Sequence, residues 1–190
     1  MVLTNHFYYH EDITAETYVE RFLSDFERAK AAAEKYGMRV YLGAELRFTE
    51  NSNDYLLFGV NREQLMEIYP LLPNGIVRFR QEYPMPNSVF LQAHPKRDRM
   101  EEVDASLLDG IEALNMHPGH NPRAGVALRY AAHHHLPIVV AGSDFHHPNV
   151  GHEGLAALRV ENLPEDSFEL AKKLRCGEYV VEIGDGYFML

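Results

Sequence analysis

The 190-residue chain is 46% hydrophobic and 24% charged, which is the balance of a soluble globular protein with a substantial core. Its net charge of −10 argues against a nucleic-acid-binding surface, its single cysteine excludes an internal disulfide, and no apolar run approaches the ~20 residues that span a bilayer. Residues 1–6 lack the basic start and apolar core of a secretion signal. The sequence therefore predicts one cytoplasmic domain, residues 1–190, without nucleic-acid or membrane partners.

Strand and helix patterns alternate along the chain, which favours an α/β fold built from βα units with a largely parallel sheet. The predicted strands cover residues 2–3, 38–48, 55–60, 88–93, 109–115, 137–143, 156–160 and 179–183. The predicted helices cover 14–36, a segment capped by Asn61 with Gln64 three residues later, a short stretch over 76–83, a helix opened by Asn121-Pro122, and 165–175.

Five polar segments each follow one of the predicted apolar strands. Because the carboxyl ends of parallel strands meet at one edge of a sheet, these segments are expected to deliver their side chains to one pocket. Imidazole and carboxylate groups are the ligands that suit Zn, Fe and Mn. The segments are Thr4-Asn5-His6, Gly43-Ala44-Glu45, Gln92-Ala93-His94-Pro95, Asn115-Met116-His117-Pro118-Gly119-His120 and Gly142-Ser143-Asp144-Phe145-His146.

The strongest local pattern is Gly142-Ser143-Asp144-Phe145-His146, because Asp144 and His146 can project to the same side of a loop and bind one metal or two neighbouring ones. The alternative is a polar turn in which Asp144 caps a helix. His94 by itself fits a strand-end histidine satisfied by a backbone carbonyl. Together with Asp144 and Glu45 it is predicted to be a metal ligand.

Glu45 follows an apolar strand, where an ionised carboxylate is costly unless a cation compensates it. A metal ion is the predicted cation, and a salt bridge to Arg47 or Arg39 is the alternative. His6 is also predicted to be a ligand, whereas His10 is not favoured.

His117 and His120 compete for one ligand position in a loop rich in Pro and Gly, and His120 is the favoured ligand. The run His133-His134-His135 has a structural interpretation, since its three side chains point in different directions at a helix end. His147 and His152 are interpreted as loop residues.

Four basic residues lie just past ligand-bearing strand ends: Lys96, Arg97, Arg99 and Arg123. This position suits an anionic substrate, and Arg97 and Arg123 are the predicted substrate-binding residues. A solvated charge run is the alternative.

These segments resemble the motifs of the PHP (polymerase and histidinol phosphatase) family of metal-dependent phosphoesterases. The segments ending at His6, Glu45, His94 and His146 are similar to the family's second and later motifs, in the same order. The resemblance implies a distorted (βα)7 barrel with Zn, Fe or Mn at up to three sites. The implied metal ligands are His6, Glu45, His94, His120, Asp144 and His146.

The family's first motif, His-x-His, has no counterpart here, so the chain is predicted to lack the first βα unit of the barrel. In the family's terms, the site of Glu45, His94 and His120 is complete, the site of His6 and His146 is one ligand short, and the site of Glu45 and Asp144 lacks its histidine pair. An upstream start is the favoured explanation. A segment donated by another chain and the loss of part of the site are the alternatives.

The leading functional hypothesis is a phosphatase that hydrolyses a small phosphorylated substrate with a metal-activated hydroxide, with Asp144 and His146 as catalytic residues. A non-catalytic metal-binding or scaffolding domain is the main alternative. A metal-dependent hydrolase of C–N bonds is a third hypothesis, and a polymerase-associated nuclease fits least.

Overall fold

A computed structural model of the protein describes residues 1–147 and 156–188. The chain divides into two compact units, one formed by residues 1–89 and 164–172 and the other by residues 90–163 and 173–190. Within the described residues, no helix combines the length and apolar character needed to cross a membrane. The single domain stays a prediction.

The first unit contains four strands, β1 (Val2–Leu3), β2 (His6–Tyr8), β3 (Tyr41–Arg47) and β4 (Asp54–Phe58). Both β1 and β2 pair with β3 in the parallel sense, whereas β4 pairs with β3 in the antiparallel sense. The turn between β3 and β4 is braced by the Asn53 amide, which donates a hydrogen bond to the side-chain oxygen of Asn51 at 2.9 Å. This hairpin brings the end of β3 opposite the start of β4.

The long helix α1 (Ala15–Glu34) forms close to its predicted position. Thr14 is its N-cap and accepts a hydrogen bond from the Thr17 amide, and the chain leaves the helix through Gly37 at a φ of +64°. Its buried face packs on β2, where the rings of Phe7 and Phe22 meet edge-on with centroids 5.0 Å apart. α1 therefore fixes the strand that carries His6.

Two shorter helices, α2 (Arg62–Ile68) and α3 (Gly75–Glu82), follow β4 and are separated by a 3-10 segment over Tyr69–Asn74. α2 begins with the predicted capping box, because the Asn61 side chain accepts from the Gln64 amide and the Gln64 side chain accepts from the Asn61 amide. The sequence-based cap is confirmed.

The second unit contains three neighbouring parallel strands in the order β5 (Val89–Gln92), β6 (Gly110–Asn115) and β7 (Ile138–Gly142). Their carboxyl ends consequently lie side by side. β6 has an irregular register between Glu112 and Leu114, and a Cβ at Gly110 would lie 1.9 Å from the carbonyl oxygen of Ile138. Helix α4 (Ala124–His133) connects β6 to β7.

A second, antiparallel sheet in the second unit has the order β8 (Ala156–Arg159), β9 (Val180–Ile183) and β10 (Gly186–Phe188). Helix α5 (Ser167–Cys176) lies between β8 and β9 in the chain. The hydroxyl of Ser167, at its first residue, donates to the carbonyl of Leu42 and accepts from the Gly59 amide at 2.8 Å.

The mixed α/β class predicted from the sequence is confirmed, and the distorted (βα)7 barrel that lacks its first βα unit stays a prediction. Two features depart from a largely parallel arrangement, namely the β3–β4 hairpin and the antiparallel β8–β10 sheet. The helix expected to open at Asn121-Pro122 instead begins at Ala124, because Arg123 has a left-handed φ of +47°. The prediction for His152 lies outside the described residues.

Candidate metal centre

In the first unit, the β3–β4 hairpin places two buried carboxylates near each other. Register pairs Glu45 with Leu56 and Arg47 with Asp54, so both acids lie on adjacent strands two positions apart. A carboxylate oxygen of Glu45 lies within 4.8 Å of one of Asp54. Two buried negative charges at this distance repel each other and lose hydration, so they require positive compensation.

Arg47 supplies part of that compensation through a two-pronged contact with Asp54. Its Nε and Nη2 donate to the two carboxylate oxygens at 2.8 and 2.7 Å, which raises the pKa of the Arg47 guanidinium. The guanidinium also lies over the Tyr8 ring, 4.5 Å from its centroid. Burial is the main reason that the pKa of the Tyr8 hydroxyl is also raised.

His6 supplies a second contact of opposite sign, this time to Glu45. The two residues are directly opposite in the parallel β2–β3 pair, and His6 Nε2 lies 3.1 Å from Glu45 Oε2. The hydrogen bond to Glu45 raises the pKa of His6. The His6 ring stacks on Tyr8 at 4.7 Å, which holds the imidazole at the start of β2. The two residues predicted to bind metal in this unit are thus brought together.

In the second unit, the ends of β5, β6 and β7 are tied together by a buried polar network. Glu112 Oε2 accepts hydrogen bonds from the His94 amide at 3.2 Å and from Asn115 Nδ2 at 2.9 Å. The same Asn115 nitrogen also donates to Asp144 Oδ2 at 3.2 Å. The backbone of His94 and the carboxylate of Asp144 are therefore both joined to polar side chains of β6.

The backbone is strained at both of those ligands. His94 has a φ of +30° and Asp144 a φ of +48°, a left-handed region that residues with a side chain adopt at a cost of roughly 1–3 kcal/mol. Such strain persists only where the surroundings fix it, and it concentrates at functional sites. Both residues turn off a strand end at this point, so the strain redirects their side chains.

Asp144 has two further partners. Arg97 Nη1 donates to Asp144 Oδ2 at 3.1 Å, and His146 Nδ1 lies 3.2 Å from Asp144 Oδ1 and 2.9 Å from the Asp144 carbonyl oxygen. Arg97, predicted to bind substrate, thus orients a predicted ligand. Arg123, the second predicted substrate-binding residue, instead pairs with Asp98 and donates to the Lys96 carbonyl at 2.9 Å.

Three imidazoles gather beside this network. The ring of His117 lies 4.7 Å from that of His120 and 5.7 Å from that of His146. Loss of hydration lowers the pKa of His117 and of His120, and the nearby Arg97 guanidinium acts in the same direction. These two rings are therefore neutral at neutral pH, as metal binding requires. The choice of His120 over His117 stays a prediction, because both lie in this cluster.

Each unit contains side chains of the chemical types that bind divalent metal ions. Glu45 and Asp54 in the first unit and His94 in the second are buried carboxylate and imidazole groups, the donor types that Zn, Fe and Mn accept. Asp54 was missed by the sequence analysis, which began the strand at residue 55. Its position opposite Arg47 on a hairpin was the available indication.

Two cavities lie away from these groups. In the first unit, a cavity of about 420 Å³ is lined by residues 38–42 at the start of β3, by α1 and by residues 165–168. In the second unit, a cavity of about 180 Å³ is lined by Leu108, Asp109, Pro137, Ile138 and Arg175. Neither is lined by a predicted ligand.

No protein-family model matches the chain, and no curated protein matches it. Among solved structures, it is similar to a protein from Bifidobacterium adolescentis that is provisionally described as a metal-dependent phosphoesterase. The two are 17% identical, with 92% of this chain and 94% of that chain covered and a TM-score of 0.46. A similarity of this degree does not establish a common fold or activity, so the site residues must carry the functional argument.

Proposed function

We propose that this protein is a metal-dependent phosphoesterase that hydrolyses a small phosphorylated substrate. One observation carries the proposal: three parallel strands end side by side in a network of His94, Asn115 and Asp144, with Arg97 and three further imidazoles next to it. Carboxyl ends of parallel strands are where α/β enzymes hold their chemistry.

His94, Asp144, His146 and one of His117 and His120 would hold metal in the second unit. Glu45 and His6 remain predicted ligands in the first unit. When bound, a divalent ion supplies Lewis acidity that activates water near neutral pH and neutralises charge on phosphoryl oxygens. The metal is Zn, Fe or Mn by donor type.

The chain's own residues suit the remaining steps. His146 is linked to Asp144 through Nδ1, and the carboxylate orients the ring, so its other ring nitrogen would serve either as a metal donor or as the atom that moves a proton, but not as both. Arg97 places a guanidinium beside Asp144, where it would attract a phosphoryl group. Arg123 is a weaker candidate for substrate binding, because Asp98 already pairs with it.

A non-catalytic metal-binding domain is the second candidate, and a specific observation favours it. Two of the predicted ligands already have partners within the protein: Asp144 pairs with Arg97, and the Glu45 carboxylate lies 3.1 Å from the His6 ring. Compensation of this kind stabilises a site without requiring turnover. Activity measurements separate this candidate from the enzyme.

The test compares wild type with His94→Ala, Asp144→Asn and the control His133→Ala, which changes an exposed histidine of the run interpreted as structural. Elemental analysis should find Zn, Fe or Mn in wild type and in the control, and much less in the two site variants. Hydrolysis of p-nitrophenyl phosphate should fall about 100-fold or more in Asp144→Asn. Equal metal in all four proteins rejects the site, whereas full metal without hydrolysis across a phosphoester panel favours the non-catalytic candidate.

A further inference from the structure

Glu112 is a buried carboxylate in the interior of β6, away from the strand end where metal ligands were predicted. Burying an ionised carboxylate is expensive unless hydrogen bonds stabilise it. Its position is also made possible by a particular neighbour, since a Cβ at Gly142 on β7 would lie 2.2 Å from Glu112 Oε1. β7 thus has a glycine where the carboxylate of the adjacent strand needs space.

The contacts of Glu112 lead to two of the predicted ligands of this unit, His94 and Asp144. Oε2 accepts from the backbone amide of His94 at 3.2 Å, which is the residue with the strained φ of +30°. The same oxygen accepts from Asn115 Nδ2, which in turn donates to the carboxylate of Asp144. Glu112 Oε2 is therefore bonded directly to the backbone at the end of β5, and it is linked to the end of β7 through the side-chain amide of Asn115.

We propose that Glu112 is a positioning residue that fixes the backbone of His94 directly and the carboxylate of Asp144 through Asn115, and so sets the geometry of the metal centre. This inference rests on the proposed function for its purpose. It explains why a carboxylate is buried here and how two left-handed residues are held at the ends of β5 and β7, the strands on either side of β6. Groups that orient metal ligands in this way typically contribute 10–100-fold to metal affinity.

Three substitutions in the second unit distinguish the effect of the position of the Glu112 carboxylate from the effects of its charge and of overall folding. Glu112→Ala removes the acceptor. Gly142→Ala keeps the glutamate but displaces its carboxylate, and the cost to folding is small because the displaced atom is the end of a flexible side chain. Glu112→Gln removes the charge but keeps one oxygen, which can still accept the two hydrogen bonds that Oε2 receives from His94 and Asn115. Gly125→Ala is the control, since its Cβ meets nothing within 4 Å.

The measurement is Co²⁺ titration of the full metal-free chain, followed by its visible absorption spectrum, which reports ligand geometry. Glu112→Ala and Gly142→Ala should bind Co²⁺ about 10–100-fold more weakly than wild type and with an altered spectrum. Glu112→Gln and Gly125→Ala should remain close to wild type. In an Asp144→Ala background, Glu112→Ala should cost less than it does alone, because part of its effect passes through Asp144.

The positioning role is refuted if Gly142→Ala and Glu112→Ala bind Co²⁺ as wild type does, or if Glu112→Gln is as weak as Glu112→Ala. A measurement without metal tests the positioning role independently of the proposed function. Hydrogen exchange of the His94 amide should be faster in Gly142→Ala than in wild type. A wild-type protein without Co²⁺ affinity would reject the metal-dependent function. The hydrogen-exchange rate of the His94 amide would then be the test of whether Glu112 positions His94. An equal rate in Gly142→Ala and wild type would refute this role.

Discussion

Replacing Arg47 by methionine isolates the contribution of its contact with Asp54. Methionine keeps an apolar stem over Tyr8 but removes the guanidinium that donates two hydrogen bonds to a carboxylate whose side chain is only 6% exposed. Two unit charges about 4 Å apart attract by about 4 kcal/mol at an effective dielectric constant of 20. Because the Arg47 side chain is 37% exposed, solvent screening reduces this to about 2 kcal/mol of lost stability.

The assay is urea unfolding at pH 7 in the presence of a chelator. With a slope of about 2 kcal/mol/M, Arg47→Met should lower the urea midpoint by about 1 M. Arg62→Met is a matched control in the same unit, since Arg62 is 41% exposed and also pairs with two carboxylates, Glu16 and Glu20. Those carboxylates are 70% and 57% exposed, so their loss of a partner is compensated by water.

We expect the midpoint of Arg62→Met to stay close to wild type. Adding Asp54→Asn to Arg47→Met should recover part of the loss, because a neutral amide needs no cation. Equal midpoints for Arg47→Met and Arg62→Met would contradict this expectation, because it depends on the burial of Asp54 and the exposure of Glu16 and Glu20. Such a result would mean that Asp54 tolerates burial by other means.

Two further outcomes follow from the described contacts. The pKa of His6 is raised by its hydrogen bond to Glu45, so this pair stabilises the metal-free fold fully below about pH 6.5 and loses that contribution as pH rises through the raised value. His6→Gln should therefore lower thermal stability at pH 6 and leave it unchanged at pH 9, and an equal loss at both would refute the pairing. Gly110→Ala should destabilise strongly, because its Cβ would meet the Ile138 carbonyl at 1.9 Å, whereas Gly125→Ala should stabilise by about 0.5–1 kcal/mol. If the unfolding midpoints of Gly110→Ala and Gly125→Ala shifted in the same direction relative to wild type, that account would be contradicted.

Local features were predictable because their causes are local. The helix after Thr14, the capping box of Asn61 and Gln64, and the strand ends that carry His94 and Asp144 depend on residues close in sequence. The start of α4 was misplaced because Pro122 was taken as its first residue. Because the backbone of Arg123 is left-handed, the helix begins two residues later than predicted. The Arg123 side chain contacts Asp98 and the Lys96 carbonyl.

The partners of the site residues were not predictable in the same way. Glu45 was predicted to bind metal, with a salt bridge to Arg47 or Arg39 as the alternative; the β2–β3 register places His6 opposite it, and the metal ligation stays a prediction. Asp54 and Glu112 were not identified as site residues. Asp54 opens β4 and Glu112 lies inside β6. No local pattern separates a buried carboxylate from an exposed one at such positions, because the contacts of each depend on the adjacent strand.

The sequence by itself determined which side chains end the strands, because apolar periodicity and the polar residues that follow it are properties of short segments. Only the tertiary structure decided which of those side chains meet. Strand order and register join residues that are far apart in the chain, such as His94 with Glu112 and Asn115 with Asp144. The space for the Glu112 carboxylate also depends on strand order and register, because Gly142 on β7 leaves room for this side chain of β6.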